Sequence, residues 1–267
     1  MKEEIMEKQE GKDLNKFSHI RANKKMVSAM HRAIKEYNML GEGDKVAVGI
    51  SGGKDSLTLL LCLAQYRKQV KFDFQIVAIA VDVFGDTDFS QIEEFCAALS
   101  VEFFVERTSI KEIVFDIRKE KNPCSLCANL RRGVLNSKAK ALGCNKIALG
   151  HHADDFIETF FMCIKSENRL STFWPKTYLS RLDLWVIRPF LYIWENDIAA
   201  QCKGLPIVKS CCPANENTER EKVKGILLDL NQQLPNFKRN LHASLCRVER
   251  YNLFDKVVKS DEDGRVE

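Results

Sequence analysis

Apolar positions along this chain alternate between two spacings. From 18 to 40, Val27, Met30, Ile34 and Tyr37 recur every three or four residues, which predicts a helix with one apolar face, and Gly41 and Gly43 are placed to end it. Lys45–Ile50 (KVAVGI) is a short valine-rich run and reads as a buried strand. A glycine turn, 51–56, leads to a helix over 57–68. Near-continuous apolar runs at 74–81 (FQIVAIAV), 101–105, 146–149 and 184–187 predict four more strands. Helices are predicted over 89–99, 110–121, 128–142, 154–165, 195–202 and 219–234, with 123–127 interrupting the pattern.

Strands apolar on both faces, alternating with helices, belong to a sheet covered on both sides. The expected fold is therefore α/β: a doubly wound, mostly parallel sheet of about five strands, with an N-terminal helix and a helical C-terminal extension. The expected organisation is an N-terminal helical segment (1–40), a catalytic domain (41–206), and a C-terminal part (207–267) that ends in a polar tail.

Composition changes this picture little. The chain has 267 residues, 45% hydrophobic and 29% charged, enough to bury a sizeable core. No run approaches the ~20 apolar residues of a membrane-spanning helix. The charged start, Met1–Lys16, lacks the apolar core of a secretory signal, so a cytoplasmic protein with no membrane partner is expected. A net charge of +4 fits an ordinary solvated surface and is only a weak pointer to nucleic acid. Ten cysteines without an export signal point to reduced thiols and metal binding rather than disulfides.

The first candidate chemistry lies where strand 45–50 runs into Ser51-Gly52-Gly53-Lys54-Asp55-Ser56 and then a helix. Glycines let backbone N–H groups approach an anion, the helix start offers unpaired N–H groups and a positive dipole end, and Lys54 adds charge. The G-x-x-x-x-G-K-[ST] spacing of P-loop kinases and GTPases is absent. The second candidate is Gly150-His151-His152-Ala153-Asp154-Asp155 at the end of strand 146–149. Adjacent carboxylates there can hold Mg²⁺ against phosphates, Asp155 can steer a proton, or one of them can cap the following helix. The third is Cys124-Ser125-Leu126-Cys127 at the start of a helix, where the dipole favours the metal-binding thiolate. Redox pair, zinc site and iron–sulfur site compete for this CxxC, and Cys211-Cys212-Pro213 can supply a further thiolate. The remaining cysteines read as structural. Arg131, Arg132, Arg21, Lys24 and Lys25 are candidate RNA contacts or solvated charges. Phe173 and Trp174 are candidate base-stacking groups or core.

SGGKDS resembles the PP-loop of the N-type ATP pyrophosphatases. GHHADD, CSLCANLRRG, TFWPKTYLSR and VIRPFLYIWENDI resemble segments of the TtcA-like tRNA 2-thiocytidine synthetases, over roughly 44–228. That resemblance implies an ATP- and Mg²⁺-using tRNA sulfurtransferase that adenylates the C2 carbonyl of a cytidine and replaces its oxygen with sulfur. It implies nucleotide contacts at Ser51, Gly52, Gly53, Lys54, Asp55, Ser56, Gly150, His151 and Asp154, with Ala80, Val81 and Asp82 by the adenine. It also implies catalytic roles for Lys54 and Asp155, and a [4Fe–4S] cluster on Cys124, Cys127 and Cys212, with Cys211 as the alternative third ligand. Implied partners are tRNA, a cysteine desulfurase or other sulfide source, and a second copy of the chain. The other readings are a uridine or small-molecule substrate for the same chemistry, or a metal or redox module with an inactive PP-loop.

Overall fold

The computed structural model describes residues 16–118, 123–208 and 218–247. The five expected strands form as β1 (Asp44–Ile50), β2 (Phe74–Asp82), β3 (Glu102–Arg107), β4 (Lys146–Ala148) and β6 (Leu184–Ile187). A sixth, β5 (Lys176–Leu179), extends the edge. The order is β3-β2-β1-β4-β6-β5, and all neighbours are parallel except β5 with β6. The estimate of five strands misses β5 because KTYL is short, half polar and half-buried, as suits an antiparallel edge. At the other edge of the β1–β4 pairing, Lys146 Nζ meets Asp44 Oδ2 at 2.5 Å in a buried ion pair that ties the starts of the two strands together.

The described helices are α1 (Lys24–Glu36), α2 (Lys54–Arg67), α3 (Ser90–Ala98), α4 (Pro123–Ala141), α5 (Ala153–Glu167), α6 (Glu195–Gln201), α7 (Glu219–Gln233) and α8 (Phe237–Leu245). Three of these, and one π-helical turn, correct the sequence reading. Helix α1 stops before the glycines, because Asn38 takes a left-handed φ of 47°. Met39 N then donates to Ile34 O and Asn38 N to Lys35 O, closing the carbonyl end. The stretch expected as a helix over 110–121 contains a π-helical turn, Glu112–Ile117. Helix α4 begins at Pro123 rather than 128: proline suits a first helical position, where its fixed φ fits and its missing N–H has no partner to lose. Both cysteines of the CxxC therefore lie within the start of α4. Helix α8 is not predicted by the periodicity at all.

Helix α2 carries ten buried residues, including Leu57, Leu59, Leu60, Leu61 and Leu63, and is the central support of one sheet face. Met30 and Ile34 of α1 and Ile92 and Phe95 of α3 join the same core. On the opposite face Leu135 and Ala139 of α4 pack on Ala47, Val77, Ile79 and Ile147. A third cluster, Ile157, Val223 and Leu227, seats α7 on α5. Among the described residues no helix is long and apolar enough to cross a membrane.

Candidate active site

Strand order reverses at the β1–β4 pair: successive strands step outward from β1 through β2 to β3, and the chain then returns to β4 on β1's other side. Loops leaving β1 and β4 at their carboxyl ends diverge there, which opens a crevice suited to ligands. The loop after β1 is Ser51-Gly52-Gly53, and the loop after β4 holds Gly150 and His151.

The glycine loop is held by its own serines. Ser51 N donates to Ser56 Oγ (3.2 Å), Ser56 Oγ donates to Gly53 O (3.1 Å), and Gly53 N donates to Ser51 Oγ (3.3 Å). Gly52 has a φ of +81°, and a Cβ there would also lie 3.2 Å from Val208 Cβ. Val208 N donates to Gly52 O at 3.0 Å, so the chain is fixed against the loop just before the segment that contains Cys211 and Cys212. Gly53 caps α2 without any side-chain hydrogen bond. The first N–H groups of α2 therefore have neither a helical partner nor a capping one, and an anion can take them.

Gly150 touches this turn directly. A Cβ on it would lie 3.0 Å from Asp55 C, 3.1 Å from Asp55 O and 3.2 Å from Ser56 N. Lys54 Nζ lies 3.1 Å from Asp55 Oδ1 and 3.2 Å from Glu195 Oε1. Burial opposes its charge, but the Asp55 and Glu195 carboxylates outweigh burial and hold Lys54 above its ordinary value. Glu195 also pairs with Lys224 at 2.9 Å. Burial pulls Glu195 upward, yet its bonds to Lys224 and Lys54 bring it down to about 2.

The paired carboxylates divide their work. Asp155 Oδ2 accepts the His152 backbone N–H (2.9 Å), capping α5, and Oδ1 pairs with Arg220 Nη1 (3.1 Å). Asp154 is buried, accepts the Glu195 backbone N–H (2.8 Å) and pairs with Lys238. Both of its oxygens are thus engaged in joining α5 to α6 and α8. Arg220 also meets Glu158 Oε2 at 3.3 Å and Thr159 Oγ1 at 3.2 Å. Glu158 is pushed up to about 7, by burial first and by Asp155 next, with Arg220 opposing. His152 is buried among Asp55, Asp154 and Asp155, and its Nδ1 lacks a hydrogen-bond partner among the described residues.

His151 stacks on Phe173 with ring centroids 4.5 Å apart, and its Nδ1 accepts from Arg188 Nε at 3.2 Å. Burial, followed by the charge of Arg188, brings His151 down to about 3, which suits a neutral ring whose Nδ1 accepts from Arg188. At the end of β2, Ala80 is wholly buried and Val81 half-buried. The Asp82 carboxylate is taken up by its own loop: it accepts the N–H groups of Phe84, Gly85 and Thr87.

Cys124 is exposed and Cys127 half-buried. Helix α4 follows β3 and precedes β4, which runs parallel to β1, so it descends from the carboxyl edge and starts on the same side of the sheet as the glycine loop. Cys62, Cys96, Cys144 and Cys163 are buried instead, with the Cys62 and Cys96 thiols pushed up to about 12 by burial. Cys212 and Cys211 lie outside the described residues. Among the described residues no three of His, Cys, Asp and Glu form a metal-holding group. A three-thiolate site on Cys124 and Cys127 must therefore draw its third ligand from elsewhere in the chain, while their exposure and thiol chemistry fit an iron–sulfur group.

Sequence reasoning left out Glu195, Glu158, Arg220, Lys224 and Lys238. WENDI gives no local sign of a role for its glutamate, and Glu158 lies one turn beyond Asp155 on α5. No local pattern marks Arg220, Lys224 and Lys238, which α7 and α8 bring in from distant parts of the chain.

A doubly wound sheet with a serine-braced SGGKDS cradle at its switch point defines a PP-loop nucleotide-binding protein. The PP-loop domain family model matches residues 23–230. The tRNA-cytidine(32) 2-sulfurtransferase of Pelobacter propionicus is 35% identical, over 88% of this chain and 90% of its own. That of Ralstonia pickettii is 37% identical, over 88% and 76%. Among solved structures, the U34-tRNA thiolase NcsA from Methanococcus maripaludis, with its [4Fe-4S] cluster, superposes with a TM-score of 0.66 at 25% identity, covering 86% of this chain and 80% of that one. The chain belongs to the PP-loop family and, within it, to the family of the tRNA-cytidine(32) 2-sulfurtransferases.

Proposed function

We propose that this protein is an ATP-dependent tRNA sulfurtransferase acting on the C2 carbonyl of a cytidine. The observation that carries this reading is that the uncapped glycine cradle and the CxxC start of α4 share one edge of the sheet. The N–H groups of α2's first turn, with Lys54, would bind the pyrophosphate end of ATP, and Mg²⁺ would arrive with the phosphates, since it is commonly held by one or two carboxylates plus phosphate and water. The cytidine O2 attacks the α-phosphorus, the bond from that phosphorus to the pyrophosphate oxygen breaks, and the charge developing on pyrophosphate is stabilised by Lys54 and the cradle. Sulfide then adds at C2, and AMP leaves with the original oxygen.

Asp155, held by the His152 N–H and Arg220, would orient the activated base. Cys124 and Cys127, with Cys212 as the third ligand, would hold a [4Fe–4S] cluster, which would supply the sulfide for the exchange. A cysteine desulfurase or other sulfide source would reload it, and the active species would be a homodimer.

The U34 thiolase similarity favours uridine as the second reading. Nucleoside mass spectrometry of tRNA from a strain lacking this protein separates the two. Loss of 2-thiocytidine supports the first reading, loss of a thiouridine supports the second, and unchanged tRNA refutes both.

A further inference from the structure

The segment between α5 and β5 carries the most exposed large hydrophobic side chain among the described residues, Trp174, at 71%. An exposed indole is commonly a side chain on a loose loop, but this one sits on a fixed backbone. Arg188 Nη1 donates to Trp174 O at 2.6 Å, Arg188 N donates to Pro175 O at 2.9 Å, and Thr172 Oγ1 donates to Phe156 O at 2.6 Å. Its neighbour Phe173 turns inward, stacked on His151 and covered by the Arg188 guanidinium at 4.9 Å. Phe173 is thus part of the support, and Trp174 is presented outward.

The charge beside it is unbalanced. Arg188 bonds only to neutral acceptors, namely His151 Nδ1, Trp174 O and Thr177 Oγ1, and forms no ion pair among the described residues. Burial first, and then the charge of exposed Arg132 on α4 beyond the CxxC, bring Arg188 down to about 10. Two guanidiniums with no ion pair among the described residues suit an anion brought from outside. The contact path from Trp174 through Arg188 and His151 reaches Gly150, which touches the first turn of α2.

Resting on the function proposed above, we infer that Trp174 with Arg188 and Arg132 is the RNA-docking surface of the site: an unpaired base stacks on the indole and the adjoining backbone phosphate lies at the two guanidiniums. Aromatic faces accept splayed RNA bases irrespective of sequence, and arginine supplies the phosphate contact. The surface grips the loop that presents the target, while the glycine cradle grips ATP.

The test uses the full chain, an unmodified tRNA transcript and ATP, with both affinities measured for each variant. Base stacking is worth roughly 1–3 kcal/mol by alanine substitution, so Trp174→Ala should weaken tRNA binding about 5- to 150-fold. Trp174→Phe should restore most of it, and ATP affinity should be unchanged in both. Arg132→Ala should reduce the slope of log affinity against log salt by about one. The inference is overturned if Trp174→Ala binds tRNA within twofold of wild type, if it loses ATP and tRNA together, or if its only effect is to dissociate a dimer. If the wild-type protein binds no tRNA, the proposed function fails along with it.

Discussion

Replacing Gly150 by alanine tests whether the β4 loop and the glycine cradle act as one unit. The added carbon would lie 3.0, 3.1 and 3.2 Å from Asp55 C, Asp55 O and Ser56 N. Ordinary van der Waals contact begins at 3.4 Å, so the overlaps are 0.4, 0.3 and 0.2 Å by subtraction. All three atoms are backbone in the first turn of α2, so no side-chain rotation relieves the contact. Overpacking of this kind costs about 1–3 kcal/mol. If the turn moves to accommodate the methyl group, its N–H groups leave their aligned positions and ATP affinity falls by roughly 5- to 150-fold. If it does not move, the same cost appears as lost stability. Titration calorimetry with ATP and urea unfolding read the two routes separately. Gly133→Ala is the control: nothing lies within 4 Å of its added carbon, and within α4 it should stabilise by up to about 1 kcal/mol. A Gly150→Ala protein with wild-type ATP affinity and wild-type unfolding midpoint would refute the reasoning.

Cys124→Ala and Cys127→Ala should each abolish the visible absorbance of anaerobically purified protein; retention of a full cluster by either rejects the CxxC as its ligand. Cys212→Ala should do the same while Cys211→Ala does not, and the reverse pattern would transfer the third ligand to Cys211. Glu158 gives a pH prediction. Its folded value is raised from 4.5 to about 7, so the fold keeps a proton that the unfolded chain releases. Its stabilising contribution is full below about pH 4.5 and is lost as pH rises to about 7, by at most about 3 kcal/mol for this buried group. Glu158→Gln should flatten that part of the stability curve in urea unfolding between pH 5 and pH 8; parallel curves for the two proteins would show that Glu158 does not titrate in this range.

Much of the fold was legible because a parallel sheet buried on both faces writes its strands as apolar runs: KVAVGI and FQIVAIAV admit few other readings. Strand β5 was not, because KTYL lies at an antiparallel edge and needs no such run. The start of α4 is hidden in the sequence because proline marks a break as readily as a first helical position. The glycines at 41 and 43 suggest the end of α1, but Asn38 closes it earlier in a left-handed conformation.

The candidate site divides along the same line. Ser51 to Ser56 are consecutive, so a cradle made of one loop and one helix start could be recognised from spacing alone, as could the i, i+3 pair Cys124 and Cys127. The charges around it come from separated segments. Glu195 bridges Lys54 and Lys224, Arg220 joins Asp155 to Glu158, and Lys238 holds Asp154. Local order in the sequence determined which backbone can bind phosphate and which thiols can bind metal, because those properties depend on residues a turn apart. Which carboxylates stay available, and which are locked in ion pairs, was decided only when packing brought α5, α6, α7 and α8 together, because charges act through space and not along the chain.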